Sequence, residues 1–313
     1  MSVDPRVHVT LEHLRSLQGA ARGLNFLPRQ PARSVLNGRH ASRLRGRGLN
    51  FEEMRNYLPG DDIRSIDWKA TARTGDAHVR VFTEERDRPA LLVVDQRMSM
   101  FFGSRHNMKS TTAAEAAALA AFRILAVGDR VGGIAFDDER QLEVKPQRSA
   151  GAVFRFLEQV VELNEGLHPD RRFEAKQGWL NDVLGRVSRI ARHDHLVLVF
   201  SDFDGIDDTT RRRLAGLANH NDVILLVVHD PTARTLDSRE RLVLGDADRQ
   251  AEFDFGTERL RESMTAWSAA RLDRIFAWQN EINLSVLPLT AGEETLPQLR
   301  QLMGADTPRR RVR

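Results

Sequence analysis

Asp95, Arg97 and Ser99 stand at alternate positions directly after the apolar run ALLVV (90–94), and Asp202 and Asp204 follow a second run, LVLVF (196–200), in the text SDFDG. Carboxylate and hydroxyl oxygens gathered from two loops suit a hard divalent cation such as Mg²⁺, with water completing its six-oxygen sphere. In that case Asp95, Ser99 and Asp202 are the metal ligands. Arg97 sits among them as a permanent cation, able to neutralise the carboxylates and repel the ion. The residues therefore leave two chemistries open, a Mg²⁺ site and a salt-bridged loop without metal, and the arginine favours the loop.

A second group of acids lies in YLPGDDIRSIDW (57–68), where Asp61, Asp62 and Asp67 are interleaved with Arg55, Arg64, Lys69 and Arg73. An acid–base or metal site is one reading. An ion-pair network pinning an irregular segment is the other, with Pro59-Gly60 as a tight turn and Ile63, Ile66 and Trp68 as buried apolar anchors. The second reading is preferred, and it makes Trp68 a residue whose loss destabilises the fold. His193 and His195 form an H-x-H pair before a strand without a third histidine to complete a zinc site. Arg211, Arg212 and Arg213 read as the solvated start of a helix. Neither a G-x-x-x-x-G-K-[ST] phosphate loop nor a G-x-S-x-G elbow is present.

The elements that must carry these residues are legible from residue 90 onward. ALLVVD (90–95), HLVLVFSDFDG (195–205) and DVILLVVHD (222–230) are continuous apolar runs ending in acids, as strands covered on both faces should be. RVGGIAFDD (130–138) and QLEVKP (141–146) predict two strands joined by a turn, 241–255 a hairpin and 283–289 a last strand. Helices are predicted over 111–127, 150–163, 178–191, 211–218, 256–281 and 295–303. Strand and helix in alternation give an open, mostly parallel α/β sheet with helices on both faces. In such a sheet, ligands bind at the carboxyl ends of the strands, where both acidic loops fall. Residues 1–88 read as a separate N-terminal segment, 89–305 as the α/β domain and 306–313 as a basic tail.

Composition limits the classes further. The chain has 313 residues, 41% hydrophobic and 29% charged, which is enough to bury a core and excludes disorder for most of its length. There is no cysteine, so disulfides, thiol nucleophiles and iron–sulfur clusters are excluded, and a reducing compartment is the expectation. No stretch reaches the ~18 apolar residues of a membrane span, and the charged first residues do not read as a signal peptide. A cytoplasmic protein is expected. Residues 29–47 carry Arg29, Arg33, Arg39, Arg43, Arg45 and Arg47 without an acid, a run able to grip phosphate or an acidic protein surface. No aromatics are interleaved with them for base stacking, so nucleic-acid binding is the lesser reading.

The D-x-x-x-S spacing of 95–99 together with the distant SDFDG resembles the von Willebrand factor A fold and its metal-ion-dependent adhesion site. The resemblance places Asp95 at the first ligand position, Ser99 at the third and Asp202 at the distant aspartate. Arg97 replaces the middle serine, and KQGWLND (176–182) offers no threonine where one is implied, so the site is degenerate. The segment before Pro89 is similar to the signature of the domain-of-unknown-function 58 family. It carries Arg47-Gly48, Phe51, Arg55, Tyr57, Pro59-Gly60-Asp61-Asp62, Arg64, Ile66-Asp67-Trp68 and Ala72-Arg73, followed by the Asp95 loop, Lys109 and GDRVGGIAF (128–136). That resemblance implies an accessory protein working with a MoxR-type AAA+ ATPase in chaperone-like maturation of other proteins. The expected function is a non-enzymatic interaction module, with Asp95, Arg97, Ser99, Asp202 and Asp204 as its binding rim and Met98, Met100, Phe101 and Phe102 as apolar surface beside it. The alternatives are a hydrolytic or phosphate-handling enzyme using the clustered acids, and nucleic-acid binding through 29–47.

Overall fold

The computed structural model describes residues 4–24, 49–58, 63–84, 88–171, 176–231, 243–246, 249–252, 270–279, 281–282 and 284–303. In chain order the elements are α1 (Leu11–Ser16), β1 (Leu49–Asn56), α2 (Trp68–Thr74), β2 (His78–Glu84), β3 (Pro89–Asp95), α3 (Lys109–Ala126), β4 (Arg130–Phe136), β5 (Gln141–Gln147) and α4 (Ala150–Glu165). They continue with α5 (Trp179–Ile190), β6 (Leu196–Ser201), α6 (Asp208–Ala218), β7 (Asp222–His229), β8 (Val243–Asp246), β9 (Arg249–Glu252), α7 (270–279), β10 (Ser285–Thr290) and α8 (Thr295–Met303). The chain divides into two units, one of Gln30–Asp87 and one of Met1–Arg29 with Arg88–Arg313.

The larger unit is built on a six-stranded sheet of order β10-β7-β6-β3-β4-β5, parallel except for β5, which runs antiparallel to β4. Strand order reverses between β3 and β6, so the crevice at their carboxyl ends is the topological switch point of the sheet. Every residue of β3 is buried because both faces are covered. Ala90, Leu92 and Val94 pack into one core with α3, α4 and α8, whereas Leu91 and Val93 pack into a second with α5, α6 and α7. The alanine-rich α3 is apolar on most of its surface and is buried along most of its length. Gly133 of β4 allows α4 to lie close, since a Cβ there would meet the Phe156 ring at 2.2 Å. The outermost strands, β5 and β10, each contain a proline, Pro146 and Pro288.

The expected division at residue 88 needs correcting on its N-terminal side. Val9, Leu14, Ala21 and Leu24 are buried in the core shared by α3 and α4, and the amide of Val9 donates to Asn164 Oδ1 at 2.9 Å. Residues 4–24 thus belong with the large sheet rather than with the segment that follows, because their apolar groups complete its helical face.

In the smaller unit β1 pairs antiparallel with β2, with a bulge between Phe51 and Glu53, and α2 lies between them in sequence. Asp67 caps α2, its Oδ1 accepting from the amides of Lys69 (3.0 Å) and Ala70 (3.1 Å). Val79 and Ala70 are buried, but Ile63 is 63% and Trp68 66% exposed. The expectation of buried anchors is overturned for both. The cap turns Trp68 into the first residue of a short helix, and its side chain stays at the surface. Tyr57 holds the hairpin through its amide, which donates to Ala77 O at 2.7 Å, and Arg64 is exposed. Arg47, Gly60, Asp61 and Asp62, the basic 29–47 run and the 306–313 tail lie outside the described residues. So does most of the expected 256–281 helix, of which 270–279 is helical. Among the described residues no helix is long and apolar enough to cross a membrane.

Candidate functional site

Asp95 is the last residue of β3, and its carboxylate is fully enclosed. It accepts from the Arg97 amide (3.0 Å), from Arg97 Nε at 3.0 and 3.1 Å and from Arg97 Nη2 at 2.7 Å. Ser201 Oγ, at the end of β6, completes its shell at 2.6 Å. The guanidinium continues across the crevice: Nη1 donates to Asp204 O at 3.2 Å, and Nη2 lies 3.9 Å from Asp202 Oδ1. Burial works against the charge of Arg97, yet Asp95 and then Asp202 hold its pKa above the ordinary arginine value.

Asp202 follows β6 and is 2% exposed. Lys109 Nζ, from the first residue of α3, donates to its Oδ2 at 2.7 Å, while Ser99 Oγ (3.3 Å) and the Asp204 amide (3.0 Å) donate to Oδ1. Burial pushes the Asp202 carboxyl upward, but Lys109, Arg271 and Arg97 outweigh it and hold the group below the usual carboxylate range. Asp204 pairs with Arg271 of α7 at 2.7 Å. Its carboxyl is pushed up, first by burial and then by Asp202. Between Asp202 and Asp204, Phe203 adopts a φ of 54° with its ring buried, a left-handed bend fixed by its amide donating to Ser201 Oγ at 2.8 Å.

The crevice thus holds three carboxylates, of Asp95, Asp202 and Asp204, and three side-chain cations, of Arg97, Lys109 and Arg271. The loop that presents Arg97 is braced from outside. Asp138 Oδ2 accepts the Met98 amide at 2.8 Å, and Gln96, fully buried, accepts from Asn164 Nδ2 at 2.8 Å and donates to Ser110 O at 3.0 Å.

This donor set does not suit the Mg²⁺ that the von Willebrand resemblance implies. The two carboxylates offered as ligands are already taken, Asp95 by a bidentate guanidinium and Asp202 by an ammonium, and both cations are themselves buried. A divalent ion would have to sit beside these charges, so the residues do not fit it. Among the described residues no group of three or more histidine, aspartate and glutamate side chains is placed to hold a metal.

All five rim residues expected from the sequence converge, but they do not share one character. Asp95, Arg97 and Asp202 are buried, whereas Ser99 and Asp204 are partly accessible. Met100 is wholly buried, its sulfur 3.2 Å from the Asp202 amide, so it belongs to the core; Met98, Phe101 and Phe102 are half-buried. Ring stacking with His8 at 5.6 Å covers part of Phe101. Lys109, Ser201 and Arg271 were missed as site residues. Lys109 stood among the residues of the family resemblance without a site role, and the scarcity of lysine in this chain, 4 against 43 arginines, is a second signal that could have singled it out. The 176–182 region supplies no ligand; there Trp179 Nε1 donates to Asp137 O at 2.6 Å. His193 and His195 stand apart from the rim, His193 against Asp194 and His195 against the backbone carbonyl of His193. The arginines of 211–213 are not a plain solvated start, since Arg211 pairs with Glu281 at 2.8 Å and Arg213 turns inward.

Among known proteins the chain is similar to the uncharacterized protein Rv1480 of Mycobacterium tuberculosis and the uncharacterized protein Mb1516 of Mycobacterium bovis. Each is 29% identical over 255 residues, covering 81% of this chain and 78% of the relative. Among solved structures it is similar to the conserved hypothetical protein BatB from Bacteroides thetaiotaomicron, with a TM-score of 0.39, 12% identity, 69% of this chain and 98% of that one. The SpRpn10 VWA domain is similar at a TM-score of 0.35 and 10% identity, over 68% of this chain and 94% of that one. A family model described as "Protein of unknown function DUF58" matches residues 53–273, a stretch that takes in both acidic loops and Lys109, and the chain belongs to that family.

Proposed function

We propose that the chain is a non-enzymatic, von Willebrand A-like interaction module, in which a metal-free ion-pair lock shapes the carboxyl-end rim of the sheet for docking a protein partner. The observation that carries this reading is the enclosure of Asp95 and Asp202 by Arg97 and Lys109. Carboxylates neutralised in this way are poor general bases, and a hydrolytic site needs a base within reach of a nucleophile. Asp95, Arg97 and Asp202 then act as internal braces, and the contact is made by Ser99, Asp204, Met98 and Phe102 around them. Half-buried Met and Phe beside charge suit an adaptable protein contact. The partner in this reading is a MoxR-type AAA+ ATPase and the setting the cytoplasm, both carried over from the family resemblance.

The test mixes the purified chain with a MoxR-type AAA+ ATPase from the same organism, with ATP present, and measures complex formation by light scattering and ATP turnover. Phe102→Ala with Asp204→Ala is expected to weaken the complex at least about tenfold, or ~1.4 kcal/mol, with an unchanged circular dichroism spectrum. Normal binding by the double variant would remove the rim as the docking surface. No complex with the wild-type chain would remove the ATPase as its partner.

A further inference from the structure

A cavity of about 390 Å³ lies along α5, away from the rim lock, lined by Trp179, Asp182, Gly185, Arg186, Arg189 and Arg213 among others. Its volume falls within the usual range of small-ligand sites, about 300–1,000 Å³. Arg186 is committed, since Glu143 holds it at 2.9 Å through both Nε and Nη2. Arg189 and Arg213 make no ion pair among the described residues, and Arg213 Nε is buried without a hydrogen-bond partner. Asp182 is the one acid of the lining.

Gly185 shows how the second cation reaches the cavity. It sits in the interior of α5, where glycine is a poor helix former. A Cβ at this position would lie 2.5 Å from Arg213 Nη1, 3.2 Å from Cζ and 3.5 Å from Nη2. The guanidinium therefore rests across the bare backbone of α5, and any larger residue would displace it. Held over the glycine with its Nε enclosed, the guanidinium keeps Arg213 in the cavity lining, where its remaining N–H groups can meet an acceptor from outside the chain. Paired guanidiniums match the geometry of phosphate oxygens, and a dianion gains more from them than a carboxylate does.

We infer that this cavity binds a small phosphate monoester, with Arg189 and Arg213 gripping the phosphate and the remaining volume taking the body of the ester. The site is independent of the rim proposed above. Isothermal titration of the full chain with inorganic phosphate and with ribose 5-phosphate, against sodium chloride of equal ionic strength, tests it. Saturable binding of both is expected, with the ester tighter. Arg189→Gln and Arg213→Gln should each lower the affinity about tenfold or more. Gly185→Ala separates binding from folding: it should leave the melting temperature unchanged or raised, because alanine is the better helix former, while lowering affinity as Arg213→Gln does. Heats no greater than those of the salt control, or undiminished affinity in Gly185→Ala and Arg213→Gln, would overturn the assignment.

Discussion

A buried charge is safe only while its partner is present, and Lys109 is the residue on which this bears most directly. Removing one member of a buried ion pair costs about 3–5 kcal/mol, because the remaining charge is left without compensation. Lys109→Met is therefore expected to lower unfolding stability in urea by about that amount. Adding Asp202→Asn, which keeps the acceptor for the Asp204 amide but removes the stranded charge, should recover ~1 kcal/mol or more. The same samples check the lock itself. Millimolar Mg²⁺ should leave the wild-type melting temperature unchanged, since a ligand stabilises only what it binds. A Mg²⁺-dependent rise lost in Asp95→Ala would count against the lock. At this scale the sequence was half legible. The alternation of Asp95, Arg97 and Ser99 is local and foretells their convergence, while Lys109, Ser201 and Arg271 arrive from separate elements and meet Asp202, Asp95 and Asp204 only once the sheet has formed.

The elements after residue 88 could be read because strands enclosed on both faces are uninterrupted apolar runs, and the helices between them keep a 3.6-residue period. The β1–β2 hairpin could not. Its bulge between Phe51 and Glu53 breaks the two-residue alternation, and β1 carries three charges in eight residues. Nor does sequence alone distinguish a tryptophan that anchors from one that a helix cap leaves at the surface. Trp68, 66% exposed, is expected to tolerate alanine within about 0.5 kcal/mol in chemical denaturation. A loss of 3 kcal/mol or more, typical of a buried tryptophan, would show that its ring is covered in solution.

Across the large unit, the first described residues are tied to α3 through an ionisable pair. His13 Nε2 lies 2.7 Å from Glu115 Oε1 on α3, and Glu115 Oε2 accepts from Asn107 Nδ2 and from Thr295 Oγ1 of α8. The hydrogen bond to Glu115 raises the His13 pKa, outweighing burial. A raised folded value means that the pair contributes fully below the unfolded histidine pKa of about 6.5, and that the contribution is lost as pH rises through the folded value. The stability difference between the chain and His13→Gln, measured by urea midpoints, should be larger at pH 6 than at pH 9; equal differences would show that the charge on His13 contributes nothing. The prolines of the outer strands act on a still larger scale. Pro146 in β5 and Pro288 in β10 each take one hydrogen-bond donor from an edge, and prolines in edge strands sit where the missing donor would face solvent. Neither border of the six-stranded sheet can then serve as an uninterrupted template for a further strand, whether from a second copy or from an aggregating neighbour. Copies of this chain cannot then associate by extending the six-stranded sheet without a break, and the concentration needed for misassembly along that sheet is raised from both sides at once.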